Sequence, residues 1–207
     1  NYKPTIKIDP KWPIKKLGKL CDIVRGSSPR PKSDPRYYGG NVPRLMVADL
    51  TRDGMYVTPR IDFLTEEGSK LSRAMKRNDV VMAVSGNPGL PAILNMDVYI
   101  HDGFVGFRNL TDEVVPEYLY HLLSYLKEHS NSQSIGAVFK NLTTDQIKGY
   151  NLPVPPLTIQ HEIVAKIEAE RVLVDANRKL VEIFEEKIQA KLAEIWGEDA
   201  AEKRGSR

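Results

Sequence analysis

From Leu157 to Trp196 the chain contains neither proline nor glycine, and this stretch limits what the rest can be. It follows Pro155 and Pro156, through which a helix cannot continue. Thr158 offers a hydroxyl as N-cap, Glu162 a negative charge in the first turn, and Gly197 a C-cap. The prediction is one long helix over 158–197, with about 38 residues between its caps and a length of roughly 57 Å at ~1.5 Å per residue. A globular helix seldom needs such length. Ile167, Val174, Val181, Ile188 and Ile195 recur every seven residues. The intervening positions Ile163, Glu170, Asn177, Phe184 and Lys191 are only partly apolar, which argues against a parallel leucine-type zipper. The stripe through Ile163, Ile167, Val174, Val181, Phe184 and Ile188 is expected to pair with another helix, in an antiparallel or irregular arrangement. The alternative is a rod folded back on its own domain.

What precedes the rod is long enough for one domain with its own core. Of the 207 residues 41 % are apolar, an ordinary value for a soluble chain. A single cysteine, Cys21, excludes an internal disulfide framework and fits a reducing compartment. No apolar run approaches the ~18 residues that span a bilayer, so no membrane partner and a cytoplasmic location are expected. The net charge of +3 hides an asymmetry. Residues 158–207 carry 9 basic and 11 acidic side chains, whereas residues 1–44 carry 11 basic and 3 acidic ones. A basic front with a near-neutral arm is the footprint of a nucleic-acid module attached to a partner arm.

Local patterns organise the chain into a leader over 1–11, a domain over 12–157, the helix, and a disordered tail over 198–207. Gly26 to Lys32 is rich in turn formers and basic residues and reads as a surface loop. Tyr37 to Asn41 reads as a second turn, followed by a strand from Val42 to Leu50. Asp53-Gly54 reads as the turn of a hairpin, and Leu64 to Met75 as a short helix. Val80 to Val84 is the most apolar strand, expected to be central. Short strands follow at 92–94, 98–100 and 104–107. Pro116 then opens an amphipathic helix to about 129. A polar loop follows from Ser130 to Asn141, and Thr143 or Thr144 caps a short helix. The expected class is α+β: a strand-rich globular domain followed by a single long coiled-coil-forming α-helix.

The tests for catalysis are negative. The four histidines are scattered, no cysteine pair or H-x-x-x-H spacing offers a metal site, and there is no P-loop or nucleophile elbow. No catalytic residue, metal or cofactor is therefore assigned. The binding features are more coherent. Ser27, Ser28, Arg30, Lys32, Arg36 and Tyr37 place hydroxyls, guanidinium forks and an aromatic on one loop, groups that hold phosphates and read base edges. Arg52 flanks the predicted hairpin, Arg73 and Lys76 form a second cluster at the end of the predicted 64–75 helix, and Asn87, Lys140 and Asn141 lie on predicted turns and loops. Each alone reads as a solvated surface group; together they form a candidate DNA-binding face.

The order of these motifs resembles one target-recognition domain, with its adjoining conserved helix, of the specificity subunits of type I restriction-modification systems. The resemblance covers residues 12–196. It runs through Trp12, Leu17-Gly18, the Gly26-Ser27-Ser28-Pro29 loop, Tyr38 to Pro43, Asn78 to Val81, Pro116 to Leu119 and Gly136 to Leu142. Its most specific part is Leu152 to Leu157 with Gln160 and Ile163-Val164. Ser28 stands where the family usually has threonine, and Ile159 where glutamate is common. The family typically has two recognition domains and two such helices in one chain; here there is one of each. The resemblance implies a non-catalytic subunit that reads one half of a bipartite double-stranded DNA site. It implies as partners methyltransferase (modification) subunits, a restriction subunit reached through the complex, and a second recognition half or a homodimer partner joined through the long helix. The competing reading is a protein-interaction module on a coiled-coil arm, with no DNA contact.

Overall fold

The computed structural model describes residues 9, 11–32, 34–130 and 143–196. The chain divides into two compact units after Glu162. Most of the predicted leader, all of the tail, Gly197 and the loop holding Lys140 and Asn141 lie outside the described residues.

The first unit is built on three sheets. A two-stranded antiparallel ribbon joins β1 (Ile14–Lys16) to β11 (Asn151–Pro153), bringing the two ends of the domain together. A five-stranded sheet runs in the order β2 (Asp22–Arg25), β10 (Phe104–Arg108), β7 (Val80–Ala83), β8 (Pro91–Leu94), β4 (Tyr56–Val57). A four-stranded sheet runs β5 (Asp62–Leu64), β3 (Tyr38–Leu45), β9 (Val98–Ile100), β6 (Arg73–Met75). The β3–β9 and β4–β8 pairs are parallel and the rest antiparallel, so the mixed sheets with flanking helices make the domain α+β, as expected.

The central strand is buried on both faces, which accounts for its unbroken apolar run. Every residue of β7 is buried. Val81 and Ala83, two apart and thus on one face, join the core formed with Leu45, Met75, Val98 and Ile100 of the four-stranded sheet. Helix α3 (Pro116–Ser130) packs on β7 and β8, and buries Tyr118, Leu119 and Leu123. Thr143 caps α4 (Thr144–Lys148) in a reciprocal box with Gln146, as its sequence predicts.

Several local expectations are corrected. Asp53-Gly54 is not a hairpin turn. Residues 47–53 form helix α1 (Val47–Asp53), and Gly54, at φ 78°, is its C-cap, a conformation glycine adopts without steric cost. The chain then enters β4, which pairs with β8 rather than turning back. The predicted strand over 42–50 ends at Leu45, and the predicted turn at Tyr37 to Asn41 is the irregular start of β3, where its register on β5 shifts. The predicted helix over 64–75 is the end of β5, a single turn of helix α2 (Glu66–Ser69) and β6.

The rod is helix α5, Leu157–Trp196, 40 residues long. It starts one residue earlier than predicted. The Pro156 carbonyl accepts from the N–H groups of Ile159 and Gln160, so Thr158 lies inside the first turn instead of capping it, and that turn holds no acidic residue. In the second unit much of the apolar stripe stands in solvent, Val174 at 47 %, Phe184 at 58 % and Ile188 at 56 % exposure, while Ile163 and Ile167 are half-buried. Arg171–Glu168, Arg178–Asp175 and Lys191–Glu194 are ion pairs three residues apart along its surface. Such exposed pairs add only a few tenths of a kcal/mol each.

Candidate nucleic-acid interface

The loop between β2 and β3 is pinned at both ends. At its start, a Cβ added to Gly26 would lie 1.9 Å from the His101 carbonyl oxygen, so only glycine permits this approach to the β9–β10 turn. Gly26 N–H donates to Phe104 O (3.0 Å) and Ser27 N–H to Ile100 O (3.1 Å). At its end, the Tyr37 carbonyl accepts from Thr65 N–H (3.0 Å), and the Arg36 carbonyl from the Thr65 hydroxyl (2.6 Å). Between these anchors the basic side chains remain at the surface.

Asp102 collects the loop's polar groups. It accepts from the Ser28 hydroxyl (2.8 Å) and from Arg30 (3.0 Å), and its main-chain oxygen accepts from Arg25 (3.0 Å). The Ser28 hydrogen bond above all holds the Asp102 carboxyl below its usual range. Arg73 donates to the Arg25 carbonyl (3.2 Å), which ties β6 to the same corner. Ser27 donates to Leu71 O and its own carbonyl accepts from Ser72, so it is tied into the backbone. Arg36 binds Asp34 (2.7 Å) and lies 5.2 Å from the centre of the Tyr37 ring. Lys32 is exposed and makes no ion pair among the described residues.

The floor of this corner holds a residue that loop reasoning missed. Arg44, on β3, is bound to Asp62, donates to Ser28 Oγ (3.2 Å) and lies 5.3 Å from the Tyr38 ring centre. Its side chain is only 12 % exposed. The available signal was a charged residue inside a strand pattern, which must find partners when half-buried. His101 is the other missed group. Gly103 N–H donates to its Nδ1 (2.9 Å), so the ring proton sits on Nε2. Asp102 Oδ1 lies 3.7 Å from Nδ1, where a neutral ring in this tautomer has no proton to share. Burial, with Arg44 adding to it, lowers the His101 pKa and keeps the ring neutral.

The structure therefore gathers Ser27, Ser28, Arg30 and Lys32 with Arg25, Arg73, Arg44, His101 and Asp102, and places Arg36 and Tyr37 at the far end of the loop. Other expected contacts sit in networks of their own. Arg52 is bound to Asp49 (3.0 Å), to both oxygens of Asp53 and to Thr58 O (2.8 Å), which occupies its guanidinium in holding α1 to the following strand. Lys76 binds Asp97 (2.7 Å), and Asn87 accepts from Lys127 of α3 (2.8 Å).

The described residues thus form an α+β head with a basic, loop-borne corner, continuing into a long helix with exposed apolar side chains. The chain belongs to the type I restriction modification DNA specificity domain family, whose profile matches residues 10–175. It is 27 % identical over 197 residues to the type I restriction enzyme MjaIX specificity subunit of Methanocaldococcus jannaschii, covering 92 % of this chain and 44 % of that one. Among solved structures it resembles the HsdS subunit from Thermoanaerobacter tengcongensis, with 26 % identity, a TM-score of 0.64, and coverage of 84 % of this chain and 40 % of that one. It also resembles a chain from a structural study of complex assembly and conformational transition in the type I R-M system, with 27 % identity, a TM-score of 0.66 and coverage of 84 % and 41 %. The chain thus spans less than half the length of these relatives.

Proposed function

We propose that this chain is a non-catalytic, sequence-specific DNA-recognition element that reads one half of a bipartite site within a type I restriction-modification complex. The observation that carries this reading is the family match across the head and into the rod. The concentration of exposed Arg30, Lys32 and Arg36 on one pinned loop supports it. Methyltransferase subunits, and through them a restriction subunit, are the proposed protein partners. The exposed stripe of α5 is the proposed seat of a second recognition half or a second copy.

Gel shifts with bipartite duplexes, with and without the methyltransferase subunits, test the reading. Neutralising about four to six phosphates gives log K falling with log salt at a slope of ~−0.9 per contact. Binding independent of salt, or no binding to any duplex library in either setting, would favour the protein-interaction module instead. Among the proposed contacts, the exposed Arg30 and Lys32 are expected to act on phosphates, so alanine at either weakens all sequences alike and makes the salt slope shallower.

A further inference from the structure

The second unit carries a charge pattern that its apolar stripe does not explain. Three oppositely charged pairs are spread evenly about the middle of the stripe: Lys166 with Glu194, Arg171 with Glu185, and Glu170 with Lys191. All six side chains are exposed, and the midpoints of the pairs fall from Arg178 to Val181. With Ile167, Val174, Val181 and Ile188 at the a positions of the heptad, the first two pairs occupy the flanking g and e positions. Charges there set partner choice and orientation, whereas polar residues within the seam, here Glu170 and Lys191 at d, fix register.

These charges discriminate between arrangements of two identical helices. In an antiparallel pair with its two-fold axis beside Lys179, Lys166 meets Glu194 and Arg171 meets Glu185, each twice by symmetry. Glu170 lies one turn from Lys191 of the mate. The same register stacks Val174 on Phe184 and Ile163 on Ile195. Two Arg178 side chains approach each other near the axis, but each has Asp175 at 3.6 Å in its own helix. Sliding the pair by one heptad in one direction sets Arg171 against Arg178 and Lys166 against Lys187. In the other direction the flanks keep a single kind of ion pair, Arg178 with Glu185, and the Ile163–Ile195 layer is lost. In a parallel, in-register pair Glu170 faces Glu170, Lys191 faces Lys191, and Lys166 meets Arg171. A helix made for an unrelated mate has no reason to complement itself about its own middle; an isologous pair does.

We propose that the mate of α5 is a second copy of this chain, antiparallel about an axis beside Lys179, with these three charge pairs setting the register. This rests on the stripe of α5 as a pairing surface and not on DNA contact. The test is sedimentation equilibrium on the full chain, with Arg171→Glu and Glu185→Arg made separately. Each variant alone places like charges together twice and is expected to dimerise about tenfold more weakly. An equimolar mixture regains both ion pairs in the heterodimer, so the affinity of the unsubstituted chain is expected to return. No weakening in either variant, or no recovery on mixing, overturns the register. A second arm reads direction. Cys21 is buried, so oxidation of a Val174→Cys and Phe184→Cys mixture is expected to link the two variants to each other, and neither to itself. Val174→Cys linking to its own kind would make the pair parallel and overturn the proposal, as would a monomeric unsubstituted chain. The stripe reading beneath it fails separately, if the chain associates but Val174→Lys with Val181→Lys leaves its molar mass unchanged.

Discussion

At the scale of single residues, the most informative side chains are buried polar ones. Gln160 is fully buried, and its amide serves three backbone groups: Nε2 donates to Glu113 O (2.7 Å) and Pro155 O (2.8 Å), and Oε1 accepts from Val115 N–H (3.1 Å). In the sequence it stands one heptad before Ile167 and passes for the start of the seam; the structure makes it the clamp between the end of the domain and the approach to α3. Gln160→Leu leaves the buried Pro155 carbonyl unmet and strips two part-buried backbone groups of their partner, and at ~1–3 kcal/mol for a buried group a loss of about 1–3 kcal/mol is expected in urea unfolding. Asp53 supplies a pH test. Its bonds to Arg52, then to Thr58 N–H, lower its pKa from 3.8 to about 2. A carboxylate with a lowered folded-state pKa stabilises fully above its unfolded value and loses that contribution as pH falls through the folded one. Asp53→Asn is therefore expected to cost stability near neutrality, with the deficit against the unsubstituted chain shrinking between pH 3.8 and about 2. A deficit that stays constant over that range, followed by urea melts, would assign the loss to geometry and not to charge.

Among the elements, those written in local signals were legible and those made by distant pairing were not. The apolar run of β7, the Pro116 start of α3 and the Thr143 cap of α4 each carry their cause within a few residues. The parallel pairs β3–β9 and β4–β8 join segments far apart in sequence, which no local pattern specifies. Gly54 shows the ambiguity in one residue: a positive φ serves a hairpin or a helix C-cap equally, and the tertiary partner of β4 decides. The basic loop was legible because turn formers and cations coincide, whereas Arg44 and His101 are brought to it by strands. The rod was legible almost to its ends. Its exposed Val174, Val181, Phe184 and Ile188 make the stripe proposed as its pairing surface. Val174→Lys with Val181→Lys places two charges in that stripe and is expected to abolish association, seen as a fall in molar mass by light scattering. An unchanged mass would locate the pairing surface elsewhere.

For the whole molecule, the proposed target has two halves, so the head is proposed to act beside a second recognition half joined through the rod. Symmetry then links the protein to the DNA. If the mate of α5 is a second copy, a closed two-fold pair reads two identical half-sites as an inverted repeat; a different recognition half gives two unlike half-sites. The rod is proposed to set their separation in either case. In an antiparallel pair each head lies at the N-terminal end of its own helix, so lengthening both helices equally moves the heads apart by the added rise. An insertion of seven residues in the exposed part of α5 preserves the heptad phase and adds roughly 10.5 Å at ~1.5 Å per residue. At ~3.4 Å per base pair this is about three base pairs. Selection of bipartite sites by the lengthened protein is expected to return the same half-sites with a gap about three base pairs wider. A helix of this length bends, and DNA twists with each added pair, so the gain is expected within one base pair of that figure. Unchanged spacing with intact half-sites would show that something other than α5 measures the distance, and would separate the reading head from the ruler.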